Sequence, residues 1–380
     1  MSTKKNTARI ETLVMKPSEV SKVIQHFASM QKQRSLFIWG PPGISKSSVI
    51  AQVAKELGYD FVDVRLSQMD PTDLRGIPHP VKEIDEKTGK EVSGMRWSAP
   101  LVLPRDPKAK AFILLDEFNS AAPSVQAGAY QLILDRKLGE YTVPEGCVII
   151  AAGNRENDKG ITFRMPTPIA NRFVHIEMKH DFDDWQRWAL NANVDQYVVG
   201  FLSAFKHELF NFDANSASRG FQTPRTWEFV SDILPGSEKL PELVLMGLVA
   251  GCVGDAAAAQ FMEYRKNAAD LPASSDILNG KVTKLKRNDV SLCYALTTAL
   301  CYELRDNYVE VERNGKKAAD HENWLKQANN FIGFMLENFN PEVCIMGAKT
   351  ALSVFRLRFE AKKMPNFDTF TKQYKDLIMN

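Results

Sequence analysis

Gly40-Pro41-Pro42-Gly43-Ile44-Ser45-Lys46-Ser47 lies between an apolar run, Ser35–Trp39 (SLFIW), and a segment of helical periodicity, Lys46–Leu57. A glycine-rich turn between a buried strand and a helix lets successive backbone N–H groups and the helix N-terminus cradle phosphate oxygens. In the pattern G-x-x-x-x-G-K-[ST], the lysine (here Lys46) reaches the β- and γ-phosphates and the next hydroxyl (Ser47) ligates Mg2+. The expected phosphate-binding residues run from Gly40 to Ser48. One position departs from the pattern: Ser45 stands where glycine is expected. A positive φ there would strain it and weaken binding.

Working outward, four more short runs read as buried strands: Phe61–Leu66, Ala111–Leu115, Cys147–Ala152 and Phe173–Met178. Several are almost wholly apolar, as in a parallel sheet covered on both faces. Lys46–Leu57 and Pro123–Leu134 read as helices between them. The alternation predicts a three-layer α/β domain over residues 1–180. Two insertions, Val81–Trp97 around Thr88-Gly89 and the shorter Leu138–Pro144, read as β-hairpins projecting from it.

The strand ends carry the chemistry. Phe112-Ile113-Leu114-Leu115-Asp116-Glu117 sets two carboxylates at the carboxyl edge of the sheet, beside the phosphate loop. Asp116 is expected to act on Mg2+ through its water shell, and Glu117 to orient the attacking water. Val148–Ala152, followed by Gly153 and Asn154, is expected to bring Asn154 near the γ-phosphate from a strand adjacent to the loop strand. Arg172, just before the last strand, and Arg164 a few residues earlier are candidates for a residue that reaches a neighbouring subunit's nucleotide. Thr223-Pro224-Arg225 opens a helix in the second half, and Arg225 could fold over the nucleotide from there.

After residue 180 the strands stop. Asp181 resembles an N-cap, and helices are expected at Gln196–Glu208, Arg225–Ile233, Leu240–Lys266, Asp289–Asp306 and His321–Phe339. Leu243–Gly254, the longest apolar run, is too short to span a bilayer and reads as a buried helix. Within it, Gly247 and Gly251 read as small residues permitting close helix packing. The stripe Trp324, Leu325, Ala328, Phe331, Ile332, Met335, Leu336 and Phe339 reads as core. Asp270–Asp289 is the linker candidate, dividing a helical lid (181–269) from a helical C-terminal region (270–380).

A length of 380 residues gives a prior of about two to three domains. The net charge of +2 excludes bulk polycation behaviour, so a nucleic-acid contact would need a local patch. Two candidates exist: Lys281, Lys284, Lys286 and Arg287, and then Arg356, Arg358, Lys362 and Lys363 with Phe355 and Phe359 interleaved. Both read more simply as solvated faces. The five cysteines, 147, 252, 293, 301 and 344, contain no metal-binding pair spacing and read as buried free thiols of a reducing compartment. The start, MSTKKNTARIETLVMK, has no apolar stretch and reads as no signal peptide. The expectation is a cytoplasmic protein with no membrane segment.

Taken together, these elements resemble the AAA+ ATPases, in particular their MoxR-like branch. GPPGISKS (Gly40–Ser47) resembles Walker A, FILLDE (Phe112–Glu117) Walker B, Asn154 sensor 1, Arg172 the arginine finger and Arg225 sensor 2. Longer phrases are similar to that branch as well: RLSQMDPTDLRGIP (Arg65–Pro78), YQLILDRKLGEYTVPEG (Tyr130–Gly146), AAGNREND (Ala151–Asp158) and PIANRF (Pro168–Phe173). The resemblance covers roughly residues 15–265. It implies ATP and Mg2+ as cofactors, a ring, usually a hexamer, with Arg172 acting in trans, and chaperone-like remodelling of a protein partner, often one of von Willebrand factor A type. It implies that the two hairpins face the pore or partners. Two rival readings stand beside it: an AAA+ motor on nucleic acid, and a nucleotide-gated scaffold with little turnover, which Ser45 motivates.

Overall fold

A computed structural model describes residues 13–85, 87–155, 158, 162–212, 218–268, 270–286, 289–315 and 317–378. The lysine-bearing start up to residue 12 and, among the residues singled out above, Glu156, Asn157 and Arg287 lie outside the described residues. The chain divides into two compact units, Met1–Asp181 and Phe182–Asn380.

Among the described residues the first unit has ten strands: β1 (Val14–Met15), β2 (Ser35–Trp39), β3 (Asp60–Arg65), β4 (Ile77–Ile84), β5 (Glu91–Ser98), β6 (Ala111–Asp116), β7 (Lys137–Leu138), β8 (Tyr141–Thr142), β9 (Val148–Gly153) and β10 (Phe173–Met178). The helices described with them are α1 (Pro17–Ser29), α2 (Lys46–Leu57), α3 (Pro71–Arg75), α4 (Pro123–Asp135) and α5 (Thr167–Ala170). Six strands form one parallel sheet in the order β1-β10-β2-β9-β6-β3. The five strand runs expected from sequence are all in it. The sixth, β1, is two residues long and carries no periodicity to read.

Side chains of a strand alternate between faces, and the sheet is buried on both. Ile113, Leu115, Ile149 and Ala151 pack with Leu74 of α3 and with Val125, Ala129 and Leu132 of α4. Phe112, Leu114, Val148 and Ile150 point to the other face, where they are equally buried, and α2 packs against β6 and β3. Each fully buried side chain of this size contributes about 1.5–3 kcal/mol relative to exposure, so these strands tolerate no polar interruption before their ends. The fold is a P-loop α/β domain of three layers. Both expected hairpins are present: β4 and β5 pair antiparallel from Ile77↔Ser98 to Ile84↔Glu91, and β7 pairs with β8.

The second unit is helical: α6 (Phe182–Asn191), α7 (Gln196–Ala204), α8 (Pro224–Ile233), α9 (Glu242–Val253), α10 (Asp255–Ala268), α11 (Ser274–Leu278), α12 (Val290–Arg313), α13 (Ala318–Asn338), α14 (Pro341–Lys349) and α15 (Pro365–Ile378). The expected stripe on α13 is core, with Trp324, Leu325, Phe331 and Met335 buried. The segment 270–289 carries α11, whose Ile277 and Leu278 are buried in the cluster formed by α12 and α13. Leu292 and Ala295 of α12 join the cluster formed by α6 to α10.

Leu240–Lys266 is not one helix: it breaks at Gly254, which adopts φ 87° and ψ 160°, a region essentially confined to glycine. The apolar run Leu243–Gly254 is not buried all round. Leu245, Val249 and Val253 face the core, while Leu243, Val244 and Leu248 are exposed. A Cβ placed on Gly247 or Gly251 meets nothing within 4 Å, so the missing side chain of neither glycine makes room for a neighbour within this chain. A uniformly apolar run has no periodicity from which to tell a half-buried helix from a buried one.

Candidate functional site

The parallel topology brings the carboxyl ends of β2, β9, β6 and β3 to one edge, and the candidate residues gather there. From β2 the chain turns through Gly43 at φ 77° and enters α2 at Ser45. Ser45 adopts φ 65° and ψ 35° as the N-cap of α2, with no side-chain capping bond. The position does need positive φ, and Ser45 meets that need at the steric cost of its Cβ.

The side chain of Lys46 folds across the loop. Its ammonium donates to the Gly40 carbonyl at 2.7 Å, the Pro41 carbonyl at 3.0 Å and Oδ1 of Asn154 at 3.1 Å. Asn154 follows β9, which lies directly beside β2. Ser47, one residue further into α2, donates its hydroxyl to Oδ2 of Asp116 at 2.6 Å. The other carboxylate oxygen of Asp116 accepts the backbone N–H of Glu117 at 2.9 Å. One hydroxyl and one carboxylate oxygen side by side are the hard oxygen donors that Mg2+ takes alongside waters and phosphates, so the residues present fit that ion.

Glu117 follows Asp116 in a left-handed conformation, φ 54°, and starts a tight turn, Phe118–Ser120. Its carboxylate is exposed to solvent and accepts a hydrogen bond from the Ser67 hydroxyl. Ser67 stands in the turn Leu66–Gln68 that follows β3. The register Arg65↔Asp116 sets the two turns level. Ser67 carries no sequence pattern of its own; only that register brings it to Glu117.

Arg172 is not part of this cluster. It precedes Phe173, which pairs with Ser35 at the amino end of β2, whereas the loop follows Trp39 at the carboxyl end. At a rise of about 3.3 Å per residue, the four steps from Ser35 to Trp39 separate the two ends by roughly 13 Å. The Arg172 guanidinium lies over the Tyr130 ring, 4.4 Å from its centroid. It donates to the Pro168 carbonyl at 2.7 Å and to the Tyr130 hydroxyl. Tyr130 stands on α4. Arg164 is exposed in the segment before α5.

Arg225 belongs to the second unit. Thr223 caps α8 by accepting the Thr226 N–H at 3.1 Å, and Thr226 returns a bond to the Thr223 N–H at 2.8 Å. Pro224 follows in the first turn and Arg225 is exposed beside it. Its positive charge offsets in part the burial that raises the Glu228 carboxyl above its ordinary pKa.

The basic clusters are partly neutralised. Lys281 pairs with Asp276 at 3.0 Å, Lys284 with Glu337 at 3.3 Å and Lys363 with Glu360 at 3.0 Å. Four of the five cysteines are buried, and Cys252 is half-buried. Among the described residues no helix is long and apolar enough to cross a membrane.

Residues 36–179 match the family model described as ATPase family associated with various cellular activities (AAA). The chain is similar to midasin of Giardia intestinalis, 26% identical over 197 residues, and to midasin of Dictyostelium discoideum, 26% identical over 218 residues. These stretches cover 49% and 54% of this chain but only 4% of either midasin. Among solved structures it is similar to the Thermotoga maritima RuvB Holliday junction branch migration motor. That match has 12% identity and a TM-score of 0.34, and covers 84% of this chain and 86% of that one. The loop and the two carboxylates at the end of β6 lie within that matched segment.

Proposed function

We propose that the protein is a MoxR-like AAA+ machine that hydrolyses ATP at sites shared between neighbouring copies in a ring and uses the cycle to remodel a protein partner. The observation that carries this reading is the division of the candidate residues between two ends of one sheet. Lys46, Ser47, Asp116, Glu117 and Asn154 stand together at the carboxyl edge, while Arg172 stands at the amino edge. An arginine so placed serves a nucleotide held by another copy rather than its own.

In this reading, the loop from Gly40 to Ser48 holds the phosphates through backbone N–H groups and the N-terminus of α2. Lys46 exchanges its loop carbonyls for phosphate oxygens. Ser47 would ligate Mg2+ directly and Asp116 through water. Bound there, the ion neutralises charge on the phosphates. Glu117 orients and polarises the attacking water, and Asn154 stands near that water and the γ-phosphate. Arg225 acts from the lid, taken as residues 181–269. Residues 270–380 are the candidate docking region for the partner, for which a von Willebrand factor A-type protein is the family-based choice. The pairing of Lys281, Lys284 and Lys363 with acidic neighbours weighs against a nucleic-acid substrate.

The test is steady-state ATP turnover against protein concentration, with wild type beside Glu117→Gln and Arg172→Ala. Specific activity should rise with concentration. It should fall at least a hundredfold in both variants while nucleotide binding persists, since trans arginines contribute about 10³–10⁵ in rate. Turnover independent of concentration and untouched by Arg172→Ala would defeat the shared-site reading. Tight binding with negligible turnover in the presence of candidate partners would favour the gated scaffold.

A further inference from the structure

We infer that Asn119 is a positioning residue for the reaction, locking Asn154 in register with the catalytic turn. This rests on the reading of Asn154 given above. Asn119 sits two residues after Glu117 and is 1% exposed. Its side-chain amide grips the backbone of Asn154 from both sides. The amide nitrogen donates to the Asn154 carbonyl at 2.7 Å, and the amide oxygen accepts the Asn154 N–H at 3.2 Å. Its own backbone carbonyl accepts the Phe163 N–H at 2.7 Å. One buried residue thus ties the turn carrying Glu117 to the end of β9 and to the segment leading to Arg164.

The neighbouring glycine bears the imprint of this grip. A Cβ on Gly153 would lie 2.3 Å from Oδ1 of Asn119 and 2.9 Å from the Phe37 ring. The chain therefore gives up a side chain at 153, and the amide occupies that space. The sheet ladder does not hold Asn154 itself: β9 ends at Gly153, and the β2 partner of Gly153 is Trp39, the last residue of its strand. The side chain of Asn154, which receives Lys46 at 3.1 Å, is therefore aimed by a backbone that Asn119 fixes. A displacement of about 1 Å in such a group is enough to cost about a hundredfold in rate.

Asparagine alone among side chains of its size offers both a donor and an acceptor in this geometry. Asp in its place sets an acceptor against the Asn154 carbonyl; Leu keeps bulk and offers neither.

The experiment measures kcat, KM and nucleotide affinity for Asn119→Ala, Asn119→Asp and Gly153→Ala in the full chain, each alone and with Asn154→Ala. Thermal unfolding and amide exchange across residues 148–155 accompany them. The expected result is a kcat lowered tenfold to a hundredfold with nucleotide affinity within threefold of wild type, and faster exchange at Asn154. On the Asn154→Ala background the same substitutions should add less than threefold, because the group being positioned is already gone. Losses that multiply on that background, or a folded Asn119→Ala with kcat within threefold of wild type, overturn the inference. If Asn119→Ala does not fold, the nearly isosteric Asn119→Asp decides by the same criteria. A wild type without turnover, or a Glu117→Gln variant as active as wild type, overturns the underlying site reading instead and this inference with it.

Discussion

The Ser67 hydroxyl donates to the Glu117 carboxylate, joining the turn after β3 to the turn after β6. Glu117 is exposed and sits at φ 54°, so its side chain has room to point elsewhere. A carboxylate oxygen engaged by Ser67 must give up that hydrogen bond before it can turn toward an attacking water. A hydrogen bond to a charged group contributes about 1.5–3 kcal/mol, and solvent exposure places this one at the low end. Ser67→Ala should therefore raise basal ATP turnover by about tenfold, the rate equivalent of roughly 1.4 kcal/mol. Steady-state kinetics of the purified chain check this. A fall in kcat would mean that Ser67 holds Glu117 in its working position.

Ser45 is the departure from glycine in the phosphate loop, and it occupies the left-handed region. Left-handed backbone costs an L-residue roughly 1–2 kcal/mol, and glycine's greater freedom when unfolded returns about half of that. The Ser45 side chain makes no capping bond that glycine would lose. Ser45→Gly should stabilise the protein by about 0.5–1 kcal/mol, a rise of a few degrees in the first unit's melting temperature. Nucleotide should bind at least as tightly as in wild type. Calorimetry and nucleotide titration on the same preparation report both.

What was legible in the sequence was whatever repeats with a period or ends abruptly in charge. The run Phe112–Leu115 is too short for a helix and is closed by charge, so it reads as a buried strand that ends in Asp116-Glu117. Asn154 after β9 could be placed by the same argument. The partners of these groups were illegible because they depend on register: Ser67 and Asn119 are polar residues in short turns, with no pattern of their own. Arg172 was picked out by its place before β10, but its stacking on Tyr130 joins positions 42 apart in sequence, which no local pattern encodes. In the second unit, uniform hydrophobicity hid both the break at Gly254 and the exposed face of α9.

Asp195 caps α7, accepting the Tyr197 N–H at 2.8 Å. Burial pushes its carboxyl above the ordinary value of 3.8, against the pull of the Tyr197 and Val198 N–H groups and Arg265. The folded state therefore binds this proton more readily than the unfolded state. Stability contributed by this group is fully present below 3.8, declines as pH rises through the raised value, and is flat above it. At neutral pH the ionised carboxylate is a net cost. Asn caps helices as well as Asp does and does not ionise. Asp195→Asn should raise the urea midpoint of the second unit at pH 7, with the difference from wild type vanishing near pH 3.5. A variant less stable than wild type at pH 7 would show that the charge itself, through Arg265 or the dipole of α7, outweighs its burial.

Gly254 separates α9 from α10 at φ 87° and ψ 160°, and a Cβ there would lie 3.1 Å from the Gly220 carbonyl oxygen. Side chains pay about 1–3 kcal/mol for such a conformation. Gly247 and Gly251, seven and three positions earlier, lie inside α9, and a Cβ on either meets nothing within 4 Å. Glycine in a helix interior costs about 0.5–1 kcal/mol relative to alanine. The three substitutions should therefore differ in sign. Gly254→Ala should destabilise the second unit by about 1–3 kcal/mol, and Gly247→Ala and Gly251→Ala should each stabilise it by about 0.5–1 kcal/mol. Denaturant unfolding of the dilute protein measures these values, and the same variants studied at rising concentration test the face itself. A stabilising effect that reverses as copies associate would place Gly247 and Gly251 against a neighbouring chain, since an added methyl is harmless only where nothing approaches.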